Sequence, residues 1–327
     1  GRGNETSVDI NSAYVARVTQ DFKAGRDLNV VWDCGNGATG PALQGIIEKL
    51  PGKHTILNAE VDGNFPAHHP DPTLPETLEQ LQAAVSAEGA ELGIAFDGDG
   101  DRIGVIDADG AVLWADQLLV MLAREVLSRH QGATIIADVK ASQVLFDEIE
   151  SAGGKPMMYR TGHSLIKAKM AETSAPLAGE MSGHIFYADG YFGYDDALYV
   201  AVRLLSVLAG GTETLASFRN TLRPVVNTPE MRFTCSEDRK FIVPEEVHAR
   251  LKAENADVNA TDGVRVNTRD GWWLLRASNT QDVLVARCEA FDDVGLGRLK
   301  AALAHQLHQS GVSLPADFWG PIQSDAA

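Results

Sequence analysis

The sequence predicts an α/β protein: two related α/β domains with mixed sheets, followed by a C-terminal α+β domain. Three observations carry this. Short apolar runs such as Leu28–Asp33, Leu92–Phe96 and Thr134–Asp138 alternate with amphipathic stretches of helical period. One plan also occurs twice: a strand ending in Asp, a loop, a helix, a glycine, a second strand, a helix, then a strand–polar loop–strand. Finally, composition changes around Leu222-Arg223-Pro224, beyond which strands dominate. The expected boundaries are 1–8 as a linking segment, 9–111, 112–223 and 224–327.

Residues 12–24 read as an amphipathic helix and 28–33 as a strand closed by Asp33. Cys34-Gly35-Asn36-Gly37-Ala38-Thr39-Gly40-Pro41 turns into a helix reaching about residue 50, with Pro placed where a first turn tolerates it. A loop rich in Pro, Asp, Asn and His spans 61–75, a helix 75–88, and strands 92–96 and 103–107 flank an acidic loop. The second copy places a helix at 116–129, a strand at 134–138, a helix from Ser142 to near Gly153, and a strand at 156–159. Thr161-Gly162-His163-Ser164 opens another helix, and strands 177–179 and 185–187 flank Glu180–His184. Asp33 thus corresponds to Asp138, and the acidic loop to Glu180–His184. Asp195-Asp196 reads as the acidic start of an apolar helix, and Thr212-Glu213 starts another. Beyond residue 224 the expectation is a strand at 230–235, a helix opened by Pro244, several strands between 258 and 289, and a helix over 294–309. The tail, 314–327, has no periodic pattern.

The totals narrow the function classes. The chain has 327 residues, 44% of them hydrophobic, enough for two or three ordinary domains. Its net charge of −17 argues against a broad nucleic-acid-binding face. Its three cysteines, Cys34, Cys235 and Cys288, form neither a zinc pattern nor a disulfide framework, which points to a reducing, cytoplasmic compartment. The longest apolar candidate, 197–209, is too short for a membrane span and contains Arg203. No signal peptide or initiator methionine opens the chain, so a processed or truncated product, or an incomplete sequence, is expected. No membrane or nucleic-acid partner is expected, and a monomer is favoured.

The chemistry concentrates in Asp97-Gly98-Asp99-Gly100-Asp101-Arg102. In an extended strand Asp97 and Asp101 would stand roughly 13 Å apart. Gly98 and Gly100 let the chain curl and turn the carboxylates inward. Two such charges about 4 Å apart repel by on the order of 4 kcal/mol, which a hard divalent cation bound through oxygen would offset. An EF-hand is excluded, because loop position twelve counted from Asp97 is Ala108 rather than Glu. Arg102 either neutralises the loop or grips a phosphate bidentately, the second being favoured. Glu180-Met181-Ser182-Gly183-His184 combines an acceptor, a hydroxyl and an imidazole suited to a polyol and to proton transfer; an ordinary polar turn is the plain alternative. Arg276-Ala277-Ser278-Asn279-Thr280 ends a strand in donors fit for a phosphate, or is a polar loop after an edge strand. Lys140 and His163 follow short strands; Cys34 carries no mark of a nucleophile.

Taken together, these loops resemble the α-D-phosphohexomutase superfamily. Gly35-Asn36-Gly37, Val61-Asp62-Gly63-Asn64-Phe65-Pro66 and Thr161-Gly162-His163-Ser164 add to the likeness, and the Gly179–His184 form is similar to that of bacterial phosphomannomutase/phosphoglucomutase enzymes. The resemblance covers domains two to four of that family. It implies that 1–8 is a remnant of the link from a first domain, whose phosphoserine loop has no counterpart in these residues. It further implies that Asp97, Asp99 and Asp101 hold Mg2+ and that Arg102 steadies the transferring phosphate. Lys140 and His184 act in catalysis, while His163, Glu180, Ser182 and His184 meet the sugar. Arg276, Ser278, Asn279 and Thr280 grip its standing phosphate. The implied reaction interconverts hexose 1- and 6-phosphates of glucose or mannose through a bisphosphate, with this polypeptide inactive by itself. The alternatives are a haloacid-dehalogenase-type sugar phosphatase with Asp97 as nucleophile, and a phosphosugar-binding fragment without turnover.

Overall fold

The computed structural model describes residues 3–316 and 318–319; the end of the tail expected to lack pattern, 320–327, lies outside them. Five strands form a first sheet: β1 (Leu28–Asp33), β2 (Gly52–Leu57), β3 (Leu92–Phe96), β4 (Ile103–Asp107) and β5 (Val112–Leu113), in the order β2-β1-β3-β4-β5. β1 pairs parallel with β2 and β3, whereas β3–β4 and β4–β5 are antiparallel. Five more form a second sheet: β6 (Thr134–Asp138), β7 (Lys155–Tyr159), β8 (Leu177–Gly179), β9 (Ile185–Tyr187) and β10 (Tyr194–Asp195). Its order, β7-β6-β8-β9-β10, repeats the first, with β6–β8 parallel and β8–β9 and β9–β10 antiparallel. The duplication is therefore one of strand order and direction. The two strand-ending aspartates share a role as well. Buried Asp33 accepts hydrogen bonds from Gly35 N and Asn58 Nδ2, both at 2.9 Å, and buried Asp138 accepts one from Thr161 Oγ1 at 3.1 Å.

β3 and β4 are buried at every position because both faces of the sheet are covered. On one face Leu78, Leu81 and Val85, from the turn at residue 78 and helix Glu79–Glu88, pack with Val31, Ala95 and Ile106. Each of the Leu, Val and Ile side chains contributes about 1.5–3 kcal/mol when fully buried.

The third sheet comprises β11 (Val226–Asn227), β12 (Met231–Thr234), β13 (Asp257–Asn259), β14 (Val264–Thr268), β15 (Gly271–Ala277) and β16 (Val283–Ala290). Its order is β11-β16-β15-β14-β13, with β12 also on β16, and every pairing is antiparallel. Trp272-Trp273-Leu274-Leu275 is buried throughout because alternate residues meet different neighbours. Trp273 and Leu275 join a core with Val243, Val247, Leu299 and Leu303 of helices Ile242–Ala253 and Asp293–Gln309. Trp272 and Leu274 pack with Val139 and Met158.

By internal contacts the chain forms two compact units: one of the described residues within 1–137, 143–157 and 163–221, the other of those within 138–142, 158–162 and 222–327. No helix of the described residues is long and apolar enough to cross a membrane.

Some expectations differ from the structure. The first helix is Asn11–Thr19 and stops short of residue 24. The helix expected to open at Pro244 begins at Ile242, since Pro fits anywhere in a first turn. Asp195 lies in β10; Asp196 alone caps the helix Ala197–Ala209, accepting from Tyr199 N at 3.0 Å.

Candidate active site

In the first unit, fully buried β3 delivers Asp97 to a tight turn. Gly100 adopts φ +84°, and a Cβ there would meet Thr39 Cγ2 at 2.6 Å, so glycine is required on both counts. The turn closes on Asp97. Its Oδ1 accepts from the backbone N of Gly100, Asp101 and Arg102 at 3.0, 3.1 and 3.1 Å, and its Oδ2 from Arg102 Nε at 2.7 Å. Asp97 is buried, and burial pushes its pKa up against the opposing pull of Arg102. Arg102 reaches on to Asp71 Oδ1 at 3.0 Å. Neutralisation of the loop, the less favoured of the two roles read from sequence, is thus what Arg102's protein contacts supply here.

Asp97, Asp99 and Asp101 each present an oxygen, all within 4.8 Å of one another. Exposed Asp99 makes no hydrogen bond or ion pair among the described residues. Three converging carboxylates, one with no protein partner, fit a hard oxygen-seeking cation such as Mg2+.

The β8–β9 loop occupies the equivalent place in the second sheet and is joined to the first. Arg102 and His184 form an isolated antiparallel bridge, and Ile103 N donates to Gly183 O at 3.1 Å. His184 Nε2 lies 3.2 Å from Asp101 Oδ1. Its Nδ1 lies 2.7 Å from Ser182 Oγ and 3.4 Å from Glu180 Oε2. Burial by itself would lower its pKa; hydrogen bonds to Asp101 and Glu180 overcome that and push it up to about 9. The imidazole is therefore a cation at neutral pH. Conversely, the hydrogen bond from His184 holds the Asp101 carboxyl below its usual range, against burial. His163 stacks on His184 with centroids 5.9 Å apart. The structure thus brings together Asp97, Asp99, Asp101, Arg102, His163, Glu180, Ser182 and His184.

The other expected residues lie in the second unit. Arg276 is buried, with Nε on Asp262 Oδ2 at 2.9 Å and Nη2 buried without a hydrogen-bond partner. Asp262 Oδ2 also accepts from Thr161 N at 3.0 Å, and Asn279 Nδ2 donates to Thr161 O at 3.3 Å. Ser278 Oγ accepts from Thr280 N at 3.4 Å and Gln281 N at 3.2 Å. Lys140 Nζ meets Glu230 Oε2 at 3.2 Å and Asp138 Oδ2 at 3.9 Å. Arg276 thus sits in a built cradle with one donor nitrogen unspent.

Sequence reasoning missed Asp71, Asp262, Glu230 and Asp195 as partners of Arg102, Arg276, Lys140 and His163. Only Asp262-Gly263 carried a signal, that of a turn. Cys34 is buried, and burial pushes its thiol up to about 11, with Thr39 opposing and Asp33 adding. It is protonated and inert, in line with the sequence.

Family models match along the chain. Phosphoglucomutase/phosphomannomutase alpha/beta/alpha domain II matches residues 12–110, alpha/beta/alpha domain III residues 114–225, and the C-terminal domain residues 230–306. A phosphomannomutase/phosphoglucomutase of Pseudomonas aeruginosa is 44% identical over 97% of this chain and 69% of its own length. The chain belongs to the phosphoglucomutase/phosphomannomutase family. A Neisseria gonorrhoeae phosphoglucomutase is 40% identical over 91% of this chain and 65% of its own. A crystal structure of a family protein from Burkholderia thailandensis matches with TM-score 0.88 and 43% identity, over 94% of this chain and 66% of that one. The chain therefore spans about two thirds of the length of these relatives. An Aspergillus fumigatus N-acetylphosphoglucosamine mutase, solved with GlcNAc-6P and magnesium, shares the fold at TM-score 0.66 and 16% identity, over 90% of this chain and 68% of that one. Membership of a mutase family displaces the phosphatase alternative, and so does the fourfold hydrogen bonding that occupies the Asp97 carboxylate.

Proposed function

We propose that this chain supplies the cation-binding, sugar-binding and phosphate-binding parts of a phosphohexomutase that interconverts hexose 1- and 6-phosphates through a bisphosphate. The observation that carries the reading is the bridge between Arg102 and His184, which makes the aspartate loop and the Glu180–His184 loop one surface. A cation donor set and a polyol-binding set share Asp101 across that seam.

Asp97, Asp99 and Asp101 would hold Mg2+, which when bound offsets charge on a transferring phosphoryl group. The Aspergillus enzyme was solved with magnesium, but at its identity it speaks for the fold, and the assignment rests on the donor set. Glu180 and Ser182 accept from sugar hydroxyls. His184, held cationic by Asp101 and Glu180, donates a hydrogen bond or a proton from Nε2, and His163 flanks it. Arg102 keeps one end of its guanidinium for phosphate. In the second unit, Arg276 Nη2, Ser278, Asn279 and Thr280 receive the standing phosphate, with Asp262 holding Arg276 in place. Lys140 adds positive charge. Glucose or mannose esters are the substrates, and the phosphoryl donor is an enzyme phosphoserine, for which these residues contain no matching loop. The polypeptide by itself is then a phosphosugar-binding fragment.

Calorimetry with glucose 6-phosphate and a coupled isomerisation assay test this. Expected are phosphosugar binding that weakens at least about tenfold in Arg276→Ala, and no turnover until the phosphoserine domain of a relative is added. Isomerisation by the pure, mass-verified chain alone would overturn the phosphoserine requirement. Unchanged binding in Arg276→Ala would overturn the phosphate assignment.

A further inference from the structure

Asp195 is not used by the reading above. Its side chain is 6% exposed. One oxygen, Oδ1, is taken by Lys167 Nζ at 2.8 Å. The other, Oδ2, is buried with no hydrogen bond, and His163 Nδ1 lies 3.5 Å from it. A buried carboxylate oxygen without a hydrogen bond is costly and calls for a partner. Asp195 lies beside Asp101 and His184, and one ligand atom from each of the three falls within 4.8 Å of the others. Of its two oxygens, Oδ2 is the one without a hydrogen bond.

The donor types differ from those of the aspartate loop. Three carboxylates suit a hard cation, whereas an imidazole with two carboxylates suits zinc or a similar borderline ion. His184 also has the support such ligands have elsewhere. Its Nδ1 is engaged by Ser182 Oγ at 2.7 Å, which fixes the ring and leaves Nε2 toward Asp101.

We propose that Asp101, His184 Nε2 and Asp195 Oδ2 form a second cation site, selective for zinc-like transition ions and distinct from the Asp97–Asp99–Asp101 set. The two sites share Asp101, so a zinc-like ion draws that carboxylate and His184 away from magnesium and sugar binding. That inhibitory consequence rests on the mutase reading; the binding itself does not.

The test is titration of the metal-free chain with Zn2+ by calorimetry, and with Co2+ by visible absorption, without sugar or turnover. Expected is one site that weakens at least about 100-fold in Asp195→Asn and His184→Gln, the upper end of what losing even an outer partner of a ligand costs. Asp99→Asn should keep it. Circular dichroism checks that each variant is folded, and Lys167→Gln, which leaves all three ligands, should retain the Co2+ spectrum. Unchanged zinc affinity in Asp195→Asn overturns the site. So does equal loss in Asp99→Asn, which would put the ion on the aspartate loop. Phosphosugar binding, measured separately, reports on the mutase reading, so the two can fail independently.

Discussion

The β3–β4 loop and the β8–β9 loop stand at the same place in two copies of one topology, and chemistry has divided between them. Both close a strand ladder: Asp97 N donates to Arg102 O at 3.3 Å, and Glu180 N to His184 O at 2.9 Å. Both begin with a buried carboxylate. In the first loop that carboxylate is consumed by backbone amides and Arg102, while Asp99 and Asp101 keep oxygens within 4.8 Å of it. In the second it faces an imidazole and raises its basicity. In the proposed reading one scaffold thus yields a hard-cation site and a proton donor, according to which donors meet the first acid.

The largest expected effect comes from removing that acid in the first loop. Asp97→Ala leaves Arg102 Nε and three amide hydrogens without their acceptor. Breaking a buried charge pair costs about 3–5 kcal/mol. Urea unfolding should show a loss of that order; a loss below about 1 kcal/mol would mean that the loop does not depend on Asp97.

The seam between the loops comes next. Gly183 has φ +96°, and an added Cβ would lie 2.8 Å from Ile103 O. Gly183→Ala should cost about 3 kcal/mol, the upper end for a strained backbone, because the clash adds to the dihedral penalty. It should also lower magnesium affinity by moving Arg102. If magnesium binding is unaffected, the loops act separately and the proposed joint surface fails.

Much of this comparison was legible in the sequence. β1, β3, β4, β6, β8 and β9 fall where their apolar runs place them, because central strands bury both faces and leave a continuous hydrophobic signal. The repeated plan implied β2, but its bounds could not be read, because Gly-Lys-His-Thr-Ile-Leu lies at the sheet edge, partly exposed, with no such run. β5 and β10 are two-residue edges with no pattern to find. In the site, Asp97, Asp99 and Asp101 were readable because glycine spacing is local. Asp71 for Arg102 and Glu230 for Lys140 were not, since those pairs close over 31 and 90 residues. Asp195 was misread as a helix-start acid because sequence cannot say which of two adjacent aspartates caps.

The far ends of the two sheets differ in a way that acid should expose. In the first, Asp107 Oδ2 meets the Arg219 guanidinium at 3.1 Å. In the second, Asp189 is held by Arg129 at 2.6 Å, His130 at 2.8 Å and Arg203 at 3.2 Å. Burial would raise the Asp189 pKa; the bonds from Arg129 and His130 outweigh it and bring it from 3.8 to about 2. The folded value is depressed, so its stabilisation is present above the unfolded value of 3.8 and is lost as pH falls through about 2. Discounted for the partly exposed partners, that is on the order of 1–2 kcal/mol. An Asp189→Asn variant should lose this amount at neutral pH and show a shallower acid limb below pH 4 or so. An unchanged acid limb would mean that Asp189 is not clamped in solution.

The smallest stability effect separates ligand chemistry from architecture within the aspartate loop. Asp99 is exposed and unpartnered among the described residues, so Asp99→Asn should shift unfolding by no more than about 0.5 kcal/mol in metal-free buffer. A cation that binds the folded state raises its apparent stability by mass action, about 2.7 kcal/mol at a hundredfold excess over Kd. Magnesium should therefore raise the unfolding midpoint of the unmodified chain but leave Asp99→Asn nearly unmoved. Asp97→Ala differs, being already unstable before any metal is added. A full magnesium response in Asp99→Asn would assign the cation to other donors, and the division of labour between the two loops would have to be redrawn.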